Sequence, residues 1–453
     1  MRLFLSELFR DRVFGSTLLK IAIPIILQNL VCSSLNMVDT IMIGRIGTVE
    51  LAAVGVATQF FFFNMVVLVG ICSGYCIFVA QYWGKHNLIK IKHYLGVILC
   101  YATFAGIIFT TLGILYPEEI MNLFNHDPEV ITIGATYIRI LAVTTIFQGF
   151  TIGYGYASRS IENAFLPMIA SLIALATNTF LNYVLIFGKF GAPAMGVTGA
   201  ALATLFARFL EMMLLLIYTY GKKTPLAVHL SEMNLHPSFF FGDLKTVLPV
   251  MLNEVCWGLA TVVYIAAYGR IDTDALASVQ VAFTVQNLFL IFGFGVSGAT
   301  ATMVGNNIGR GLTKRATLYA HRSLFLALAI GTVLTVMILI LAPVFLYFYD
   351  LSSERVTEDA LLMIRILALT MPMKLINMTL IMGILRAGGD VIFSLLSESC
   401  TMWLIGVPLA FFGALVLKWP VYMVFTLVIA EEIVKLILCL WRVFSNRWLR
   451  LCL

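Results

Sequence analysis

The sequence predicts an all-α, polytopic membrane protein with 12 transmembrane helices in two six-helix lobes, related by a pseudo-twofold axis along the membrane normal. Three observations predict it: a composition too apolar for water, apolar runs of bilayer length, and a long internal repeat. Of 453 residues, 61% are hydrophobic and 11% charged, whereas a soluble domain carries about 25% charged residues. Such a chain needs lipid as its solvent. The net charge of +6 is not a nucleic-acid footprint, because no basic cluster carries base-stacking aromatics and the excess sits in short loops. Of the eight cysteines, Cys32, Cys72, Cys76, Cys100, Cys256, Cys400 and Cys439 lie in apolar runs and Cys452 at the tail. Without metal-binding spacing they read as small buried core residues. The opening MRLFLSELFRDRVFG reads as an amphipathic cytoplasmic lead-in, with charge on both sides of a short apolar stretch and no small-residue cleavage site.

A bilayer core takes about 20 apolar helical residues. By that ruler the spans of the first half are 17–43, 51–79, 93–116, 130–157, 165–187 and 195–220. Those of the second half are 244–268, 276–304, 318–349, 360–385, 391–415 and 421–443. The expected domains are an N-lobe at 1–220, a cytoplasmic linker at 221–243 holding Lys222, Lys223, Pro225, His229, His236 and Pro237, and a C-lobe at 244–453. One set of loops gathers Arg10, Lys85, Lys90, Arg159, Lys222, Arg310, Lys314, Arg386 and Arg442. The other holds Glu118, Glu119, Asp127, Glu129, Asp350, Glu354, Glu358 and Asp359. The positive-inside rule places both termini in the cytoplasm.

The repeat is visible without gaps at a shift of 225 (249 minus 24). Pro24 falls on Pro249, Gly44-Arg45-Ile46 on Gly269-Arg270-Ile271, Thr48 on Thr273, Gly70 on Gly295 and Gly84 on Gly309. One residue of slippage brings Ile138-Arg139-Ile140-Leu141-Ala142 onto Ile364-Arg365-Ile366-Leu367-Ala368, and another brings Arg159 onto Arg386. An even number of spans per copy gives both copies the same orientation, a transporter architecture whose binding cavity lies at the repeat interface.

Ionisable groups at bilayer depth cost at least about 2.5 kcal/mol each on insertion scales, so each is a functional candidate. Asp39 lies late in the first helix with Asn36 on its face, offering oxygens to a proton or sodium ion, or else anchoring a loop. Glu254 follows Pro249 in the seventh helix, a proton carrier or a member of a structural ion pair. Asn178 and Asn182, four apart, share a face and could complete an oxygen cage with Asp39 or glue helices together. Lys374, which no loop explains, is the possible partner of Glu254. Arg208 with Glu211, and Glu431 or Glu432 with Lys435, have the spacing of local pairs. Phe60 to Phe63 and the methionines read as an adaptable, lipid-facing apolar surface. No HExxH, GxSxG or GxxxxGK[ST] occurs, which leaves a metalloprotease, a hydrolase and an ATP-driven pump without their chemistry. Energy is therefore expected from an ion gradient.

These residues resemble the multidrug and toxic compound extrusion (MATE) family. The likeness rests on Pro24, the stretch from Met37-Val38-Asp39-Thr40 to Gly44, Gly84, Asn178 and Asn182 followed by Gly196 to Thr204, Pro249 with Glu254, and Leu385-Arg386-Ala387-Gly388-Gly389-Asp390. It implies export of cationic or amphipathic compounds by antiport with protons or sodium ions. Its expected partners are a small-molecule substrate and the bilayer of the plasma (inner) membrane, with no nucleic acid, no enzyme activity, no cofactor beyond the coupling ion, and a monomeric state. It also implies that Asp39, Asn178 and Asn182 form the N-lobe cation site, that Glu254 is the C-lobe carboxylate, and that Pro24 and Pro249 bend their helices. Two departures point towards protons: Asn182 stands where many relatives carry aspartate, and Lys374 lies near the position of an acid in others. The competing reading is a flippase of a lipid-linked saccharide or other amphiphile, which needs several cationic side chains facing a cavity.

Overall fold

The computed structural model describes residues 12–229, 232, 242–347 and 354–452. The lead-in before Arg12, most of the linker with His236 and Pro237, and Asp350 lie outside the described residues. What is described is helical, with no strand. The spans are α1 (Arg12–Gly44), α2 (Thr48–Gly84), α3 (Leu88–Leu115), α4 (Pro128–Leu141 with Thr144–Ser160), α5 (Phe165–Phe187) and α6 (Gly196–Gly221). Then come α7 (Leu244–Gly269), α8 (Thr273–Gly309), α9 (Thr313–Tyr347), α10 (Glu354–Met378, continued by the π-helical turns Thr379–Leu385), α11 (Val391–Val416) and α12 (Val421–Phe444).

Ten of these are long and apolar enough to cross a bilayer unaided. The other two depart for different reasons. The two parts of α4 meet at 52°, although neither proline nor glycine marks the break. Threonine hydroxyls hold it open: Thr144 Oγ1 donates to the Leu141 carbonyl at 2.6 Å and Thr145 Oγ1 to the Ala142 carbonyl at 2.8 Å. Hydroxyls that bond back onto helix carbonyls bend helices in this way. The departure of α12 is in composition, because Glu431, Glu432, Lys435 and Arg442 lie within its 24 residues.

The repeat is reproduced in the turns. At the end of α2 the amides of Lys85, His86 and Asn87 donate to the carbonyls of Gln81, Trp83 and Tyr82. At the end of α8 those of Arg310, Gly311 and Leu312 donate to Asn306, Ile308 and Asn307, each partner 225 positions on. His86 and Gly311 both take left-handed φ, 56° and 77°. The turns after α4 and α10 match at a shift of 227 (386 minus 159): Ile161, Glu162 and Asn163 donate to Ala157, Arg159 and Ser158, as Gly388, Gly389 and Asp390 do to Ile384, Arg386 and Leu385.

The chain divides into two compact units, 27–247 and 1–26 with 248–453. The start of α1 is assigned with the second repeat, and what is described of the linker packs with the first. There Leu226, Ala227 and Val228 are buried, Tyr220 Oη donates to the Val228 carbonyl at 2.7 Å, and Lys92 pairs with Glu232 at 2.8 Å. In the other unit, Ile25 and Ile26 of α1 lie against Gly298 and Gly295 of α8. Both α1 and α7 run unbroken through Pro24 and Pro249, each proline within three residues of a unit border.

Long apolar side chains stay on the outside, among them Leu19, Phe104, Ile217, Val333, Ile340, Leu404 and Ile437. That surface suits hydrocarbon and not water; the protein is an integral membrane protein. Two expectations change here. Phe60 is buried, not lipid-facing, because it packs on Phe109 across α2 and α3 at 5.4 Å between ring centroids. Among the free cysteines only Cys72, Cys76 and Cys439 are buried, and Cys400 is exposed.

Candidate functional site

In the unit built from 27–247, α1 carries Asp39 to the face of α5 that presents Asn178 and Asn182. The amide nitrogen of Asn182 donates to Asp39 Oδ1 and, at 2.9 Å, to Asn178 Oδ1, and Asn178 Nδ2 donates to Thr204 Oγ1 of α6 at 3.1 Å. Asn178 and Asn182 are fully buried, and Asn182 Oδ1 has no hydrogen-bond partner. An unsatisfied buried oxygen is costly, and here it lies beside a carboxylate. Three of the four residues proposed from sequence for this lobe therefore meet, with Thr204 added. Asn36 does not join them: it is exposed, and only its carbonyl is used, by Thr40 Oγ1 at 2.8 Å.

A second chain of polar groups runs through the same unit. Arg159 Nη2 donates to Gln28 Oε1 at 2.7 Å, Gln28 Nε2 to Ser171 Oγ at 3.1 Å, and Ser171 Oγ to Glu211 Oε1 at 2.6 Å. Arg208 closes it with a 2.9 Å ion pair to Glu211 and lies within electrostatic reach of Asp39. The i,i+3 pair is local, as its spacing predicts. Nearby, Val143, Phe147, Leu181, Leu202 and Phe209 of α4, α5 and α6 help line an apolar cavity of about 560 Å³.

In the other unit Glu254 is an ion-pair member, and its partner is Arg386 at 2.5 Å, not Lys374. The reason is reach. Lys374 and Arg386 are twelve residues apart on one span, about 18 Å at 1.5 Å per residue, so a group level with one cannot touch the other. Lys374 Nζ instead donates to Gln286 Oε1 at 3.1 Å. Arg386 also stands 3.6 Å from Glu398 of α11, which accepts from Asn253 Nδ2 at 2.7 Å. Further along, Lys435 pairs with Glu431 at 2.7 Å and lies 3.7 Å from Glu432. Tyr264 Oη donates to Glu431 at 2.5 Å and Asn377 Nδ2 to Glu432 at 2.6 Å. Sequence reasoning misses Glu398 and Gln28 and takes Arg386 as a loop charge, a repeat marker and part of the family motif, not as the partner of Glu254. The available signal is an acid inside the apolar run 391–415. Among the described residues, no three or more His, Cys, Asp or Glu side chains are grouped to hold a metal ion.

Two duplicated bundles of lipid-embedded helices, each with a buried polar node, define a transporter architecture. The MatE family model matches residues 24–184 and again 249–412, so the chain belongs to the MATE family; it is a transporter and not an enzyme. It is 24% identical over 397 residues to the probable multidrug resistance protein YoeA of Bacillus subtilis, covering 86% of this chain and 84% of that one. It is 26% identical over 397 residues to the probable multidrug resistance protein NorM of Thermotoga maritima, covering 87% and 84%. A crystal structure of MATE in complex with MaL6 superposes with a TM-score of 0.85 at 18% identity over 95% of this chain and 96% of that one, which establishes the fold.

Proposed function

We propose that the protein is a proton-coupled efflux transporter of the plasma (inner) membrane that exports cationic or amphipathic organic compounds, acting as a monomer with both termini in the cytoplasm. The observation that carries this reading is the group in which the buried amides of Asn178 and Asn182 hold the half-buried Asp39 and Thr204, in a chain of this family. It offers a single carboxylate, neutral amide and hydroxyl ligands, and Arg208 within electrostatic reach. A proton neutralises the lone carboxylate and frees the Asn182 amide, whereas a sodium ion would sit with one formal negative charge and a nearby guanidinium. Protons favour the first arrangement. A coupling ion that carries one charge inward down 100 mV supplies about 2.3 kcal/mol, nearly a fiftyfold substrate gradient under tight coupling.

The flippase reading asks for basic groups open to an anionic headgroup. Arg208 and Arg386 are held by carboxylates, Arg159 by Gln28 and Lys374 by Gln286, which disfavours it. The deciding measurement is efflux of a fluorescent organic cation from proteoliposomes under imposed pH or sodium gradients, comparing wild type with Asp39→Asn and Glu254→Gln. Proton-driven efflux lost in Asp39→Asn supports the reading; wild-type transport by both variants would overturn the site.

A further inference from the structure

We propose that Glu398 is the proton-carrying carboxylate of the second repeat, kept ready by sharing the single guanidinium of Arg386 with Glu254. This rests on the transporter reading and deepens it by naming a residue of the coupling machinery.

Charge at the node is the first support. Arg386 lies 2.5 Å from Glu254 and 3.6 Å from Glu398, so two ionised carboxylates against one guanidinium leave a surplus negative charge among apolar helices. Carboxylates that share a site do not both stay ionised, and an unbalanced buried charge is costly. A proton from water removes the surplus by bonding to a carboxylate oxygen. Glu398 receives it because it is the member farther from Arg386, with the Asn253 amide as its closer partner.

Neighbouring charges offset the surplus only in part: Lys435 also acts on Glu398, but it is shared among three acids. The groups facing Glu398 are Glu254 on α7, Arg386 at the end of α10, and Lys435 and Cys439 on α12. Lys435 is already engaged by Glu431 and Glu432, and Lys374, the remaining cation nearby, acts on that same pair of acids. The count is therefore two acids and two lysines in one group, two acids and one arginine in the other.

The internal repeat shows that the scaffold does not need this acid. At the shift of 227, Arg159 stands for Arg386 and Ser171 for Glu398, while at 225 Gln28 stands for Asn253. The equivalent contact is Gln28 Nε2 to Ser171 Oγ at 3.1 Å. A hydroxyl satisfies the helix contact in one copy; the other carries a carboxylate there, in the π-helical turn Leu396–Cys400. Such turns are frequent at functional sites.

The test is infrared difference spectroscopy of the purified full-length protein in lipid nanodiscs, titrated with protons alone in an Asp39→Asn background. The expected result is a protonated-carboxyl band that grows as pH falls, is lost with Glu398→Gln, and changes frequency with Glu398→Asp. Glu254→Gln removes the band from the same pH range, because Glu398 then has the guanidinium to itself. A band unchanged by Glu398→Gln, or a Glu398→Asp variant with an unmoved frequency, overturns the assignment, as does a parent with no band. Should the band behave as expected while liposome efflux fails, the transport reading falls and the proton site stands. Should efflux persist while the band is indifferent to Glu398, the transport reading stands and the proton site falls.

Discussion

Asn182 spends one amide nitrogen on two acceptors, Asp39 and Asn178, and leaves its oxygen unpaired. Replacing that amide by a carboxylate puts a second negative charge beside Asp39, the condition a sodium ion needs to be held by oxygens. Asn182→Asp is therefore expected to make efflux depend on a sodium gradient, read in the same liposomes by swapping sodium for choline. At Arg386 the expectation concerns stability. Arg386→Gln strands Glu254 and Glu398 without their shared cation, and breaking one side of a buried pair costs about 3–5 kcal/mol, so the Tm in detergent should fall clearly below that of wild type. Residues are the least legible level of this chain. Spacing along one helix correctly pairs Arg208 with Glu211 and Glu431 with Lys435, because i,i+3 and i,i+4 neighbours touch whatever the tertiary fold. It cannot pair Glu254, whose partner is 132 positions away, and it selects Lys374 from scarcity of charge alone.

Helices are more faithfully legible, since each apolar run between charged loops has one cheap solution in lipid, a helix that satisfies its own backbone. The span 165–187 matches α5 end to end. The bend in α4 escapes because threonine hydroxyls bond back onto helix carbonyls in only some contexts, and the Gly106 carbonyl of α3, 2.8 Å from Thr145 Oγ1, is a contact that only the packed structure supplies. Proline is the opposite case, visible in sequence yet unbroken in the helix. Pro24 removes one backbone hydrogen bond, the acceptor being the Lys20 carbonyl, at a cost of about 3 kcal/mol in a helix interior. Pro24→Ala should thus raise the Tm while slowing efflux, if the weak turn is used in the transport cycle; faster or equal efflux at higher Tm would assign the proline no such part.

At the scale of the molecule, duplication is the feature that sequence and structure share most fully, down to the donors and acceptors of corresponding turns. What the copies do not share is charge. The position of Asp39 is Tyr264 in the second copy, where the phenol serves Glu431, and Glu254 falls on Asn29 in the first. Asp39 and Glu254 thus lie at different levels along equivalent helices, so the polar groups of the two copies differ in chemistry. An even number of spans in each copy is expected to return the chain to its starting side. Single cysteines at Lys222 and Arg450, in a background freed of native cysteines, are expected to react with a membrane-impermeant maleimide only in inside-out vesicles.

Near its carboxyl end the chain is pinned more tightly than a trailing segment needs to be. Trp448 is fully buried against Gly388, the Arg450 amide donates to the Gly388 carbonyl at 2.8 Å, and Asp390 takes both Arg442 at 2.6 Å and Arg450 at 3.2 Å. Gly389, at φ 81°, lets the backbone pass beneath Cys452. The turn so fastened begins at Arg386. A rigid purification handle fused directly behind Leu453 would strain this stitch and, through it, loosen the guanidinium's seat; the yield of monodisperse material on fluorescence-detected gel filtration should drop and be rescued by a supple glycine-serine spacer.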